Sequence, residues 1–463
     1  MTNLGNSEKL VAGALLADPR VHEAKKMLLD AVRDHQQALT HIKPPNKELV
    51  VRYQALLEAF AEYRGSKLWF PYLGSGIGNG ALVELADGSV KYDFISGIGP
   101  HYLGHSNLQM ISAAIDGAIS DTIMQGHLQQ NPDSVELCRN LIQASGLDHC
   151  FLSTSGAMAN ENAIKIAFQK RSPANRILAF EKGFAGRTLV LSQITDKPSF
   201  RDGLPSTVFV DYLPFFDAHH PEASTEKAVE LLEKYLIIYP KQYALMLFEL
   251  IQGEGGFYPG THHFFSALMQ VLKKHQVSIL VDEIQTFGRT PSLFAFQYFG
   301  LEKFVDIVTI GKMTQVCATL FKKDHAPRPG LLSQTFTGST TAIRASMAML
   351  QHLINGDFFG PEGKNKKIEK YFADHLGKLA KKYPGKITGP FGVGAMIAFT
   401  PFDGDTQRTT EFVHALFQAG VISFIAGSHP TRARFLVPAG AVTIDDINAV
   451  MQIVEETLIK LMS

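Results

Sequence analysis

VSILVDE, at residues 277–283, is a short apolar run that ends in two acidic residues. Two similar runs flank it along the chain, QYALMLFE at 242–249 and VDIVTIGK at 305–312. Segments with the apolar spacing of amphipathic helices separate these runs. Continuous apolar strands that alternate with such helices are typical of a parallel sheet covered on both faces. The sequence therefore predicts an α/β fold.

The helices between these strands have recognisable signals. After residue 283, a helix is predicted to begin with Thr290 as its N-cap and Pro291 at its first position, because these residue types favour those positions. The helix before residue 277 is indicated by apolar residues in phase, namely Phe264, Leu268, Val271 and Leu272.

Outside this region the pattern changes. Helical spacing opens the chain at 21–37 and 47–64, with Gly65 as the expected C-terminal cap. Glycines and a DG turn between short alternating runs then indicate antiparallel hairpins. These patterns predict an N-terminal helical extension (1–65), a large domain (110–345) and a smaller α+β domain formed by 66–109 and 346–463.

Composition narrows the class of protein. Of 463 residues, 45% are hydrophobic and 19% are charged, which excludes a disordered or fibrous chain. The 44 basic and 44 acidic residues cancel, so the overall charge does not favour nucleic-acid binding. No apolar run reaches the ~18 residues of a membrane span. Because the three cysteines lack CxxC spacing and the N-terminus does not resemble a signal peptide, we expect a cytoplasmic protein that binds neither membrane nor nucleic acid.

Motifs of several enzyme classes do not occur in the sequence. There is no GxxxxGK[ST] phosphate loop, so the ILVDE stretch does not indicate a nucleotide hydrolase. There is also no GxSxG or HExxH motif. Two pairs of histidines are adjacent in the sequence, His219-His220 and His262-His263. Neighbouring side chains point in different directions, which disfavours binding of one metal ion by both members of a pair. We therefore expect neither a metal site nor a serine nucleophile.

Three ionisable residues follow the apolar runs: Glu249, Asp282 and Lys312. In an open α/β sheet, ligands bind at the carboxyl ends of the strands. An aspartate and a lysine there are compatible with a structural salt bridge or with a pyridoxal 5'-phosphate (PLP) site. In the second case the lysine forms the Schiff base and the carboxylate keeps the ring nitrogen protonated. The apolar surroundings would lower the lysine pKa and make its amine nucleophilic.

Seven segments in register resolve this choice by resemblance. They are STSGAMANENAIKIAF (153–168), FAGRT (184–188), IQGEGG (251–256), DEIQTFGRT (282–290), GKMTQ (311–315), TFTGS (335–339) and RFLVPA (434–439). Together they resemble the class III (omega) aminotransferases, such as the ornithine, acetylornithine, 4-aminobutyrate and lysine-6 aminotransferases. The resemblance covers about residues 70–460. It implies the PLP-dependent fold type I, with a mostly parallel seven-stranded sheet, and a homodimer with a shared active site.

The resemblance also implies roles for individual residues. Lys312 would form the Schiff base and transfer the proton between substrate and cofactor. Asp282 would pair with the pyridinium nitrogen, and Gln285 would bond the phenolic oxygen of the ring. The remaining cofactor contacts would be the backbone of Gly156 and Ala157 and the hydroxyl of Ser155 at the phosphate, Phe184 stacked on the ring, and Thr335 reaching the phosphate from the other subunit.

Four further residues bear on the substrate. By resemblance, Arg434 would bind the α-carboxylate of glutamate or 2-oxoglutarate, and Glu254 would pair with Arg434 when an omega-amine is bound. Arg187 would be a second carboxylate clamp, since a guanidinium group binds carboxylates through two parallel bonds. Ile98 occupies a position where ornithine aminotransferases have tyrosine, and this disfavours ornithine as the donor. The implied reaction moves an amino group between an omega-amine and the glutamate/2-oxoglutarate pair.

The sequence also departs from the family pattern, and other activities stay open. Met158 and Ala185 replace a glutamate and a histidine, Phe391 replaces an arginine, and one glycine is missing after Gln285. The usual Gly-Asn-Pro is here 338–340, Gly-Ser-Thr. These changes suggest a divergent subfamily. The alternatives are a PLP-dependent aminomutase or decarboxylase of the same fold, and a non-catalytic scaffold that uses the N-terminal helices for docking.

Overall fold

The computed structural model describes residues 10–121 and 124–462. Residues 1–9, 122–123 and 463 fall in the predicted N-terminal extension, large domain and small domain respectively, and they lie outside the described residues.

The N-terminal part consists of helices followed by an antiparallel sheet. The Asp18 side chain accepts a hydrogen bond from Arg20 N at the start of the second helix, and Gly65, with φ of 78°, ends the third. Both predicted helices are therefore confirmed. The bounds are α1 (Val11–Leu16), α2 (Pro19–Gln36), α3 (Lys47–Arg64), β1 (Gly74–Asn79), β2 (Leu82–Leu85) and β3 (Val90–Asp93).

The middle of the chain alternates between helices and strands, as the sequence predicts. Its elements are α4 (Leu108–Ala118), β4 (Met124–Gln125), α5 (Pro132–Ser145), β5 (His149–Ser153), α6 (Gly156–Arg171), β6 (Arg176–Phe180), α7 (Leu189–Ile194), β7 (Phe209–Leu213), α8 (Pro221–Ile238), β8 (Tyr243–Phe248), β9 (Ile251–Gln252), β10 (Tyr258–Pro259), α9 (His262–Lys274), β11 (Ser278–Glu283), α10 (Ala295–Tyr298), β12 (Ile307–Ile310), β13 (Cys317–Phe321), β14 (Gly338–Ser339) and α11 (Thr340–Asn355).

Seven of these strands form one sheet in the order β5-β13-β12-β11-β8-β6-β7. Strand β13 is antiparallel to both of its neighbours, whereas β12, β11, β8, β6 and β7 pair in parallel. The mostly parallel seven-stranded sheet that the resemblance implies is confirmed.

Both faces of this sheet are covered, which explains why its central strands are mostly apolar. Every residue of β8 and β11 is buried. From Leu245 to Phe248, successive residues of β8 alternate between two apolar clusters. Leu245 belongs to the cluster that includes Ala163 and Ile166 of α6, and Met246 belongs to the cluster that includes Leu268 of α9. A strand with a helix layer on each face must be apolar at odd and even positions alike.

One predicted helix is wrong. No helix begins at Pro291; α10 starts only at Ala295. Instead, Thr290 Oγ1 donates to Ser292 O, so the local capping signal forms a turn. The buried carboxylate of Glu283, the last residue of β11, accepts hydrogen bonds from the N–H groups of Ala295 and Phe296, both at 2.7 Å, and thereby caps the short helix α10. A tertiary contact has overridden the local preference.

The C-terminal part forms a second, smaller sheet in the order β15-β16-β19-β18. Strand β17 pairs in parallel with β3, so the N-terminal hairpins and the C-terminal segment join in one unit. The bounds are α12 (Lys364–Lys382), β15 (Ile387–Phe391), β16 (Met396–Pro401), α13 (Thr406–Ala419), β17 (Val421–Ile422), β18 (Phe424–Ala426), β19 (Arg432–Leu436) and α14 (Ile444–Met462).

Two of the predicted domain boundaries, after residues 109 and 345, fall inside α4 and α11, which pack against each other. The division of the chain into domains stays a prediction. Among the described helices, none is both long and apolar enough to cross a membrane.

Candidate active site

Three ionisable residues meet at the carboxyl edge of the central sheet, because β8, β11 and β12 are parallel neighbours. Glu249 directly follows β8, Asp282 is the second-last residue of β11, and Lys312 lies two residues after the end of β12. The backbone of Lys312 has φ of 55°, a left-handed conformation that a side chain disfavours and that active sites often contain. Burial lowers the pKa of Lys312. The negative charges of Glu254, Asp282 and Glu249 act in the opposite direction, but burial has the larger effect.

Asp282 is held in place by two hydrogen bonds. Asn160 Nδ2 donates to its Oδ2 at 2.7 Å, and the backbone N–H of Ile284 donates to its Oδ1 at 2.9 Å. Burial raises the pKa of Asp282, although both hydrogen bonds and the charge of Lys312 favour its ionised form. A cation beside this carboxylate would therefore stabilise it strongly.

Gln285 has an unsatisfied polar atom in the same place. The side chain is 5% exposed, and its Oε1 has no hydrogen-bond partner among the described residues. It lies so close to Gly253 that a Cβ at residue 253 would overlap the amide. Since buried polar atoms are almost always paired, this amide is suited to a bound molecule.

Helix α6 points its N-terminus at these residues. Ser155 is its N-cap, and Ser155 Oγ accepts from Met158 N at 3.2 Å. Gly156 and Ala157 occupy the first turn, where backbone N–H groups have no helical partner and attract anions. A Cβ at Gly156 would lie 3.0 Å from the side chain of Ile284, so the glycine allows the turn to pack closely.

Glu249 connects two loops of the site. Its carboxylate accepts from Phe184 N at 3.0 Å and from Gly253 N at 2.9 Å. Burial raises the pKa of Glu249 to about 8, and the nearby charge of Asp282 adds to the effect. Glu249 thus fixes the backbone of Phe184 relative to the segment that carries Glu254.

Most of the residues described above line two cavities, an inner one and an outer one. The inner one, with a cavity volume of about 60 Å³, is lined among others by Gly156, Ala157, Phe184, Asp282, Gln285 and Lys312. The outer one is a cleft of about 360 Å³. Its lining includes Trp69, Lys182, Phe184, Arg187, Lys197, Phe200, Glu254 and Phe424. Phe184 lines both spaces, so they meet at this side chain.

Glu254 and Arg434 form an ion pair beside the cleft. Arg434 NH2 lies 2.5 Å from Glu254 Oε1, and Arg434 NH1 donates to Gly253 O at 3.2 Å. The Arg434 side chain is fully buried, whereas 35% of the Glu254 side chain is exposed. Burial alone would raise the pKa of Glu254, but the charge and hydrogen bond of Arg434 outweigh it, so the pKa is lowered.

Arg187 and Ile98 lie nearby in different settings. Arg187 is exposed, and its Cζ lies 3.9 Å from the ring centroid of Phe200 in the cleft. Ile98 is partly buried and has φ of 62°, which is unusual for a β-branched residue. A Cβ at Gly99 would lie 3.4 Å from Lys312 Cδ, so the segment of Ile98 adjoins the lysine.

Thr335 is not brought to the site by this chain alone. It is exposed, and it is not among the residues that line the two spaces. Its contribution to the phosphate from a second subunit stays a prediction.

Two residues of the site were not predicted from the sequence. Asn160 is buried and also donates to Ala185 O, while Thr309 Oγ1 donates to Asn160 Oδ1. Arg289, fully buried, donates to Gln285 O and Gly99 O; burial lowers its pKa to about 10. The only signal for Asn160 in the sequence is its position in the 153–168 segment, one turn after Gly156 and Ala157. No cluster of metal-ligating side chains occurs in residues 10–121 and 124–462.

Comparisons with known proteins agree with this architecture. The family model of the class-III aminotransferases matches residues 73–458. The acetylornithine aminotransferase of Methanocaldococcus jannaschii is 30% identical over 400 residues, 82% of this chain and 92% of that protein. The acetylornithine aminotransferase of Bacillus subtilis is 30% identical over 381 residues, 80% of this chain and 90% of that protein.

Solved structures show the same fold. A lysine aminotransferase from M. tuberculosis superposes with a TM-score of 0.78 at 22% identity, covering 88% of this chain and 99% of that one. The taurine:2-oxoglutarate aminotransferase from Bifidobacterium kashiwanohense, in complex with PLP and glutamate, gives a TM-score of 0.78 at 17% identity. That match covers 88% of this chain and 98% of the other.

Proposed function

The chain belongs to the class III aminotransferases, and from that premise we propose that it moves an amino group between an omega-amine and the glutamate/2-oxoglutarate pair. It is an aminotransferase of a PLP-dependent family, and PLP is its cofactor. The identities of the donor and acceptor are the proposed part.

The ion pair between Glu254 and Arg434 carries the proposal. Both half-reactions use one cleft, so Arg434 must bind the carboxylate of glutamate or 2-oxoglutarate in one and be neutralised in the other. Glu254, at 2.5 Å, supplies that neutralisation when an amine without a nearby carboxylate is bound. Leaving a buried arginine unpaired would cost about 3–5 kcal/mol, so a paired glutamate is needed for the amine half-reaction.

The inner cavity fits PLP by its chemistry. Its walls offer an ionisable carboxyl at Asp282, a side-chain amide at Gln285 that carries both a donor and an acceptor, and the first-turn N–H groups of Gly156 and Ala157, which have no partner within the helix. These suit the ring nitrogen, the phenolic oxygen and the phosphate, and the phenyl ring of Phe184 suits a stacked aromatic group. When bound, PLP supplies an electron sink for carbanion chemistry.

The residues of this chain then divide the work. Asp282, oriented by Asn160, holds its negative charge at a fixed point of a buried site. Burial lowers the pKa of Lys312, which favours the neutral amine; in that form Nζ would accept a proton and return it at the neighbouring atom. Phe184 and Phe200 give the cleft aromatic side chains beside this transfer.

The donor is proposed to be of the acetylornithine, 4-aminobutyrate or lysine type. Arg187 lines the cleft at a position suited to a carboxylate of the substrate, and the acetylornithine aminotransferases among its relatives support this class. Thr335 is proposed to complete the phosphate site of a second subunit in a homodimer.

The test is a panel of donors with purified, PLP-loaded protein and 2-oxoglutarate or pyruvate as acceptor. Glutamate formation with an omega-amine, absent in Lys312→Ala, would support the proposal. Activity with pyruvate and none with 2-oxoglutarate would contradict it. Rearrangement of a semialdehyde without any acceptor would instead identify an aminomutase.

A further inference from the structure

The displaced Glu254 carboxylate needs a second partner, which the proposed function leaves unnamed. If 2-oxoglutarate docks on Arg434, one carboxylate of the ligand takes the place now held by Glu254 Oε1. Glu254 lines the outer cleft, and its side chain is already 35% exposed there, so the cleft is the direction in which it can move. A carboxylate near apolar walls is stable only beside a cation or in water.

Three basic side chains line the cleft in the part of the chain that the structure describes: Lys182, Arg187 and Lys197. Arg187 is occupied in the same complex, because 2-oxoglutarate is a dicarboxylate and its second carboxylate is proposed to bind there. Lys312 lies in the inner cavity, and an ion pair with Glu254 would keep its amine protonated and inactive. Lys182 and Lys197 remain as partners.

The two lysines have different surroundings, and Lys197 is the one that shares its aromatic neighbour with Arg187. Its Nζ lies 4.5 Å from the ring centroid of Phe200, and Arg187 Cζ lies 3.9 Å from the same centroid, so both cations flank one aromatic side chain. Lys182 Nζ instead lies 5.5 Å from the ring centroid of Tyr258. Asp196, which precedes Lys197 in the sequence, accepts a hydrogen bond through Oδ2 from the backbone N–H of Lys182 at 2.8 Å.

The electrostatics of Glu254 agree with this placement. Burial raises its pKa, but Arg434 most of all, then Lys312 and Lys197, lower it again. The charge of Lys197 therefore reaches the Glu254 carboxylate even while that carboxylate is paired with Arg434.

We propose that Lys197 receives the Glu254 carboxylate when a dicarboxylate occupies Arg434, and that it thereby sets the affinity of the cleft for dicarboxylate substrates. The inference rests on the proposed function, because it needs Arg434 to bind a substrate carboxylate. It makes Lys197 a positioning residue that acts through Glu254 and not through the substrate.

Binding of glutarate to the PLP-loaded protein tests this without turnover, because glutarate has two carboxylates and no group that reacts. Titration calorimetry would measure how much Lys197→Gln changes the affinity for glutarate, once in the wild-type protein and once in the Glu254→Ala variant. An exposed ion pair contributes up to about 1 kcal/mol, so Lys197→Gln should weaken glutarate binding about fivefold in the wild-type background. In the Glu254→Ala background the change should be less than twofold. Lys182→Gln, which removes the same charge from the same cleft, is the matched control and should change the affinity less than twofold.

The outcomes separate the two claims. Equal weakening by Lys197→Gln in both backgrounds would overturn the inference, because Lys197 would then act on the ligand and not through Glu254. Unchanged glutarate affinity in Lys197→Gln would overturn it as well while leaving the proposed function intact. No glutarate binding by the wild-type protein would overturn the role of Arg434 as a carboxylate site, and the inference with it.

Discussion

Replacing Glu254 with alanine should separate the two half-reactions of the enzyme. In the proposed omega-amine half-reaction Arg434 would lose its only carboxylate among the described residues, whereas in the proposed glutamate half-reaction the substrate would supply one. Arg434 is fully buried, and breaking a buried pair costs about 3–5 kcal/mol. Because 35% of the Glu254 side chain is exposed, the low end applies, roughly 3 kcal/mol or two decades in rate.

Stopped-flow absorbance of the PLP-loaded protein measures each half-reaction separately. We expect the amine half-reaction of Glu254→Ala to slow about a hundredfold and the glutamate half-reaction to change less than fivefold. Glu233→Ala, which removes an exposed acid from α8, is the control for the loss of one negative charge. Equal slowing of both half-reactions would refute the reasoning, because Glu254 would then act on the cofactor or the fold.

Three other substitutions test the inner cavity. Lys312→Ala should bind PLP without covalent attachment and lose transamination; cofactor fixed to another lysine by borohydride reduction would contradict this. Asp282→Asn should lose several orders of magnitude in turnover with the cofactor retained, since the amide cannot hold the ring nitrogen protonated, and turnover within tenfold of wild type would make Asp282 structural only. Glu249 has a pKa raised from 4.5 to about 8, so its contribution to stability is complete below pH 4.5 and is lost as pH rises towards 8, at up to about 1.4 kcal/mol per pH unit. Urea unfolding of Glu249→Gln from pH 5 to 8 should show a flatter stability profile than wild type; identical profiles would show that Glu249 is ionised throughout.

The strand and helix pattern was accessible from the sequence because it is local. Whether the runs at 242–249 and 277–283 form strands depends on the spacing of apolar residues within each run. Parallel strands also place their carboxyl ends at one edge, so Glu249, Asp282 and Lys312 could be grouped without coordinates.

The same local reasoning failed at Thr290. The capping signal is genuine, since Thr290 Oγ1 bonds within its own turn. The Glu283 carboxylate, however, binds the N–H groups of residues 295 and 296 and moves the helix start. The sequence does not say which carboxylate will lie next to which backbone segment.

By itself, then, the sequence determined the α/β class, the family and the residues that follow the strands. Only the tertiary structure decided which side chains meet. Asn160 bonds Asp282 across 122 positions of the chain, and Glu254 pairs with Arg434 across 180. Periodicity is fixed by neighbours a few residues apart, whereas the partner of a buried charge is fixed by how separate elements pack, because hydrogen bonds and ion pairs form only at about 3 Å.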